Sequence, residues 1–331
     1  MIAMANFPKM AAVPGASEYH APVLFAQVLA ALKPAPGMLI VDCTLGGGGH
    51  TEALLQAGAN VFGVDQDTEA IAFASARLKG FGERFQAVHS SFAAAPEKLQ
   101  KMGIHSLDGV LMDLGISSHQ VNTPSRGFSF QADGPLDMRM NPQGLVTAAD
   151  LVNTASAEQL ERIFKQFGEE PQARRIAARL VKDRAVSPFY TTLQLANAIE
   201  AVVPRSGKTH PATRVFQGLR IAVNRELEEL ERGLVLYGAM LKPGGRFAVI
   251  SFHSLEDRVV KQYFQRCSTA LLDRPEWPAP RRNPDCVFSK VTGKPLVADV
   301  AEQRANPRSR SAKLRVVERL PSVSKVPLKI V

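Results

Sequence analysis

Between residues 38 and 113 the chain alternates short, β-branched apolar runs with amphipathic stretches. Met38 to Thr44 (MLIVDCT) is followed by a glycine cluster and the helix-like Thr51 to Ala57. Asn60 to Val64 precedes Asp65 and a helix from Thr68, Phe85 to His89 precedes a helix near Ala94, and Leu107 to Met112 precedes Asp113. Strand-length apolar runs alternating with helices predict a parallel sheet. From Thr147 to Val203 the pattern reads as helices only, with N-caps at Thr147, at Ser156 in a capping box with Gln159, and at Thr192. A long amphipathic segment, Arg214 to Leu241, leads through Pro243-Gly244-Gly245 into a fifth strand, Arg246 to Phe252, with a helix capped by Ser254 behind it. Asp273 to Asn283, rich in Pro and Arg, predicts a surface excursion, and Lys313 to Arg319 alternates like a final antiparallel strand. The expected fold is α/β: a doubly wound, mostly parallel sheet with an antiparallel last strand and an inserted helical region.

Composition narrows the class without changing the fold. The 331 residues are 45% hydrophobic and 21% charged, with mean hydropathy -0.05. That is ordinary globular composition, with a length suited to about two domains. The apolar stretch Ala21 to Leu32 is interrupted by Gln27, too short to span a bilayer and not preceded by a charged region, so neither export nor a membrane partner is expected. Cys43, Cys267 and Cys286 are far apart and form no CxxC pair, which argues against a disulfide framework or zinc ribbon and fits a reducing cytoplasm. The net charge is +9, and Arg304 to Val331 carries eight basic residues against the single acid Glu318. A polyanion partner and a solvated basic tail account for this equally well.

Candidate chemistry gathers at the strand ends. Asp42 to His50 (DCTLGGGGH) follows the first strand, where a doubly wound sheet binds nucleotides. No Gly-Lys-Ser/Thr follows, so it is not a P-loop, and Thr51 stands where the dinucleotide fingerprint needs glycine. Asp42 would repel a pyrophosphate and suit a sulfonium, favouring S-adenosylmethionine over NAD. Asp65 ends the second strand, placed to accept both ribose hydroxyls. Asp113 ends the fourth, before Leu-Gly-Ile-Ser-Ser-His-Gln120, and can accept a hydrogen bond from an exocyclic amine; Ser117 and Ser118 are the next candidates to hold it.

Seven blocks carry a family resemblance beyond His20-Ala-Pro-Val-Leu24: Asp42 to His50, Asp113 to Gln120, Arg126 to Phe130, Gly134 to Met140, His210 to Leu227 in part, Ser251 to Arg258, and Asn306 to Ser311. Through them the sequence resembles the MraW type of small-subunit ribosomal RNA (cytosine-N4)-methyltransferase. The resemblance implies a class I methyltransferase sheet, residues 1–121 and 212–331, with a mainly helical substrate-recognition domain, 122–211, inserted. It implies methylation of N4 of a cytosine in the decoding centre, within a small ribosomal subunit or late precursor, with no metal. The cofactor contacts it implies fall on Gly48, Gly49, His50, Asp65, Phe92, Asp113 and Gln120. Arg126, Phe128, Phe130 and Arg139 interleave cations with aromatics, suiting stacking and phosphate binding by a splayed RNA strand, although the same mix can be interdomain packing. On the helix from Arg214, the polar face of Arg214, Gln217, Arg220 and Asn224 reads as RNA contact or a solvated stripe. Asp273 to Thr292 is not covered by the resemblance. A non-enzymatic RNA-binding protein and a methyltransferase of proteins or metabolites are the other readings; the steep salt dependence of phosphate contacts would separate the latter.

Overall fold

The computed structural model describes residues 22–205 and 210–321; His20, Ala21 and the last ten residues of the basic tail lie outside the described residues. The chain forms two compact units, Met1–Gly115 with Glu228–Val331, and Ile116–Leu227.

The first unit opens with α1 (Phe25–Leu32), β1 (Leu39–Asp42), α2 (Gly49–Gln56), β2 (Asn60–Asp65), α3 (Thr68–Leu78), β3 (Phe85–His89), α4 (Ala95–Lys101) and β4 (Leu107–Asp113). The second unit contributes α5 (Ser118–Asn122), α6 (Ala148–Thr154), α7 (Ala157–Gln166), α8 (Ala173–Arg184), α9 (Thr192–Val202) and α10 (Ala212–Asn224). After α11 (Glu226–Met240) the sheet resumes with β5 (Leu241–Ser251) and α12 (Ser254–Ser268), then the short β6 (Leu271–Leu272), β7 (Arg281–Arg282), β8 (Phe288–Lys290) and β9 (Leu296–Val297), α13 (Val300–Ala305) and β10 (Lys313–Arg319).

The main sheet runs β3-β2-β1-β4-β5-β10-β8, with β9 also on β10. The first five strands are parallel and β10 is antiparallel to β5. Side chains alternate between the faces, as strand geometry requires. Val41, Val110, Met112 and Val249 join one core with Leu234, Tyr237 and Phe264. Ile40, Leu111, Ala248 and Ile250 join the opposite core with Val28, Leu54 and Leu78. Parallel register brings the carboxyl ends of β1, β2 and β4, each an Asp, to one edge.

The second unit packs around Phe164, Ile176, Leu180, Leu195, Ile199, Val215 and Leu219. Its boundaries differ from those expected at 121/122 and 211/212, because Ala212, Val215, Phe216 and Leu219 bury α10 in this core. The long segment from Arg214 is two helices, broken at Arg225, whose φ of 50° is left-handed. Thr147 and Ser156 cap as expected, both in capping boxes. Thr191, not Thr192, caps α9, with Gln194 returning the bond; the Thr192 N–H is held by Gly134 O at 2.9 Å. His253, not Ser254, caps α12, since the Nδ1 lone pair accepts the Glu256 N–H. Residues 242–245 loop out of β5: Leu107 pairs with Leu241 and Gly109 already with Arg246.

Candidate cofactor and catalytic site

The glycine loop between β1 and α2 is pinned by acids at its edges. Asp42 is 1% exposed; Oδ2 accepts the Thr51 hydroxyl at 2.7 Å and Oδ1 the Thr44 N–H at 3.1 Å. This acid, read in the sequence as suited to a sulfonium, anchors the loop through Thr44 and Thr51. Burial raises its carboxyl, against the opposing influence of His50 and the two threonines. Thr44 Oγ1 accepts the Asp113 N–H at 2.7 Å, tying the ends of β1 and β4 together.

Asp65 organises the other side. Oδ2 accepts the Gly46 N–H at 2.8 Å and Oδ1 the Asp67 N–H at 2.9 Å. Burial pushes its carboxyl up to about 6, outweighing those two N–H groups. An ionised carboxylate offers about four acceptor positions, so capacity for ribose hydroxyls remains. Gly48 is left-handed at φ 77°, and a Cβ there would stand 3.0 Å from Leu78 Cδ1. Gly49 starts α2, where a Cβ would meet Pro22 at 3.2 Å. Arg77, unremarked in the sequence, donates to Gly47 O at 3.0 Å and pairs with Glu52.

His50 and Asp113 meet above this loop. His50 is 6% exposed, its ring stacked on Phe25. Its Nε2 lies 3.6 Å from Asp113 Oδ2. Both ring nitrogens and Asp113 Oδ1 are buried with no hydrogen-bond partner among the described residues. Buried polar atoms are almost always paired, so these three are open to a polar partner beyond the described residues. Phe92, half-buried after β3, packs its ring edge where a Cβ on Gly233 would stand 2.9 Å away.

The remaining candidates belong to the second unit. Ser117 caps α5: its hydroxyl accepts the Gln120 N–H and Gln120 Oε1 accepts the Ser117 N–H, both at 3.1 Å. Ser118 is the first helical residue behind that cap. Arg126, 8% exposed, donates to Arg139 O and Met140 O, with its guanidinium 6.0 Å over Phe128, itself 8% exposed. Arg139 makes a two-point pair with Asp137 and donates to Gly144 O. Arg220 pairs two-fold with Glu226 at 2.8 and 2.9 Å, Gln217 donates to Phe167 O, and Asn224 bridges Met138 and Met140. Arg126, Phe128, Arg139 and Arg220 are therefore engaged within the insertion itself. The polar stripe on α10 is exposed only at Arg214. Phe130 stays half-buried against His210 and Phe216, ring centroids 4.7 and 4.8 Å away. Lys313 and Arg315 of the basic tail pair with Asp257.

A doubly wound sheet with a reversed β10, a glycine loop after β1 and acids ending β1, β2 and β4 defines a class I methyltransferase. The chain belongs to the MraW methylase family, whose family model matches residues 17–320, and its methyl donor is S-adenosylmethionine. It is 48% identical over 314 residues to a ribosomal RNA small subunit methyltransferase H of Trichlorobacter lovleyi, covering 91% of this chain and 98% of that one. It is 49% identical over 313 residues to the protein of that name from Geotalea daltonii, with the same shares covered. No helix of the described residues is long and apolar enough to cross a membrane.

Proposed function

We propose that the protein methylates N4 of a cytosine in small-subunit ribosomal RNA, at the decoding centre, acting on a ribosomal subunit or late precursor. The observation that carries the reading is the His50–Asp113 cluster, in which both imidazole nitrogens and Asp113 Oδ1 have no hydrogen-bond partner among the described residues, beside a loop fitted for a nucleoside. The names of the relatives and the sequence resemblance support the choice of RNA and of N4. The site's residues fit the cofactor: Asp65 would hold the ribose hydroxyls, the backbone at Gly48 and Gly49 would lie along the amino-acid portion, and Phe92 would face the adenine.

When bound, the cofactor supplies an electrophilic methyl group on a sulfonium. The cytosine N4 lone pair is delocalised into its ring and attacks poorly, so the chain must contribute position and charge. Asp113 Oδ1 accepts a hydrogen bond from N4–H, which strengthens as the nitrogen becomes positive. Once the N–C bond has formed, Asp113 takes the proton it already holds by that hydrogen bond, and His50 Nε2, 3.6 Å from Oδ2, is placed to pass it on. The base leaves its stack to reach this point, and Arg214 and Phe130 are among the candidates for RNA contact. The test is methyl transfer to isolated small subunits and to naked RNA, read by mass spectrometry of digested nucleosides. N4-methylcytidine is expected; a methyl group on another base, or only on protein or a metabolite, overturns the assignment.

A further inference from the structure

The region outside the resemblance is a built feature. After α12 the chain makes a two-stranded ribbon, Leu271 and Leu272 pairing with Arg282 and Arg281. Its base is clamped by Asn283, 4% exposed, whose Nδ2 donates to Arg266 O at 2.8 Å and Thr269 O at 2.7 Å, while its N–H donates to Ala270 O. A two-residue ribbon is marginal on its own; here a fully bonded buried amide holds it in place.

The tip carries the only tryptophan of the chain. Two guanidiniums stand over that ring, Arg274 at 5.0 Å and Arg281 at 4.8 Å from its centroid. Arg274, Arg281 and the neighbouring Arg282 are exposed, and none has a carboxylate partner among the described residues. Asp273 and Glu276 lie on the same ribbon, exposed and unpaired with these arginines. Stacking occupies the face of a guanidinium and leaves its N–H edge free, in the fork geometry that matches phosphate. Two like charges on one indole repel each other until an anion joins them. An indole edge beside phosphate-seeking guanidiniums, with Leu271 58% exposed nearby, is the chemistry that grips single-stranded nucleic acid.

We infer that the Leu271–Arg282 ribbon is an RNA-docking element, Arg274 and Arg281 holding successive phosphates and Trp277 lying against a base. The inference rests on the RNA substrate proposed above. The test is titration of the full chain with a mixed-sequence single-stranded RNA oligonucleotide and with isolated small subunits, by filter binding and by tryptophan emission. RNA is expected to quench or shift the emission. R274Q/R281Q is expected to weaken binding about tenfold and to reduce the slope of log K against log salt by about 1.4, two phosphates at roughly 0.7 each. S-adenosylmethionine affinity and kcat at saturating substrate should not move, while KM rises. R274K/R281K, which keeps the charge, should retain most of the slope. Unchanged affinity and slope in R274Q/R281Q with silent emission overturns the ribbon alone. Parental protein that binds neither probe overturns the RNA substrate as well.

Discussion

Asp65 links folding, pH and cofactor. Its carboxyl is raised to about 6 by burial, above the ~3.9 of a free aspartate. The unliganded fold therefore favours the protonated form: that stabilisation is complete below about pH 4 and lost as pH rises through about 6. Ribose hydroxyls donating to the carboxylate favour the ionised form instead. Cofactor affinity is expected to rise between about pH 5 and 7 with proton release, measurable by calorimetry in buffers of different ionisation enthalpy. A flat affinity would separate Asp65 from the ribose. Asp65→Ala should weaken S-adenosylmethionine by about 1.5 to 3 kcal/mol, the range for hydrogen bonds to a charged group, and the same calorimetry reads it. For Asp113, Asp113→Asn keeps size and loses charge, and single-turnover methylation at saturating cofactor should fall about two to three orders of magnitude. If the loss vanishes at high cofactor, Asp113 serves binding alone.

At the scale of elements, helices meet where side chains are absent. A Cβ on Gly168 would stand 2.4 Å from Arg214 O and 2.7 Å from Phe164 O, both backbone atoms that cannot step aside. Gly218 on α10 would meet Gly168 N and Ile163 O at 3.1 Å. Gly168→Ala should force α10 away from the end of α7 and destabilise the insertion by about 3 kcal/mol, at the upper end of overpacking costs. Urea unfolding followed by circular dichroism checks this; an unchanged midpoint would show that the helices separate freely. The N-caps at Thr147 and Ser156 were legible because each cap and its N3 partner lie three residues apart. Thr191 and Thr192 were indistinguishable locally, and the contact of Thr192 with Gly134, 58 residues away in sequence, decided between them.

At the scale of the molecule, the basic C-terminal segment is first of all a strand. β10 lies between β5 and β8, with Leu314, Val316 and Val317 at most 1% exposed. Deleting residues 304–331 is expected to abolish the cooperative thermal transition seen by circular dichroism; a retained transition would show that the sheet closes without β10. The excess positive charge there was open to two readings, and the structure assigns part of it to Asp257, which holds Lys313 and Arg315. That pairing lowers the Asp257 carboxyl below its ordinary range despite burial.

The sequence by itself determined the alternation of β1 to β5 with their helices, the bounds of β3 and β10, and the acids ending β1, β2 and β4. Strand and helix periodicity are local properties, and a parallel sheet places every strand's carboxyl end at one edge whatever surrounds it. Tertiary structure decided what each polar side chain does. Asp42 turned inward to Thr51, Arg126 reached two carbonyls thirteen and fourteen residues away, and Arg220 found Glu226 across a helix break. A long cation reads the same in sequence whether it meets RNA or a carbonyl of its own chain. Only the folded backbone brings that carbonyl within hydrogen-bond distance, and only there does the His50–Asp113 cluster, three of whose atoms have no hydrogen-bond partner among the described residues, separate from the polar groups already satisfied.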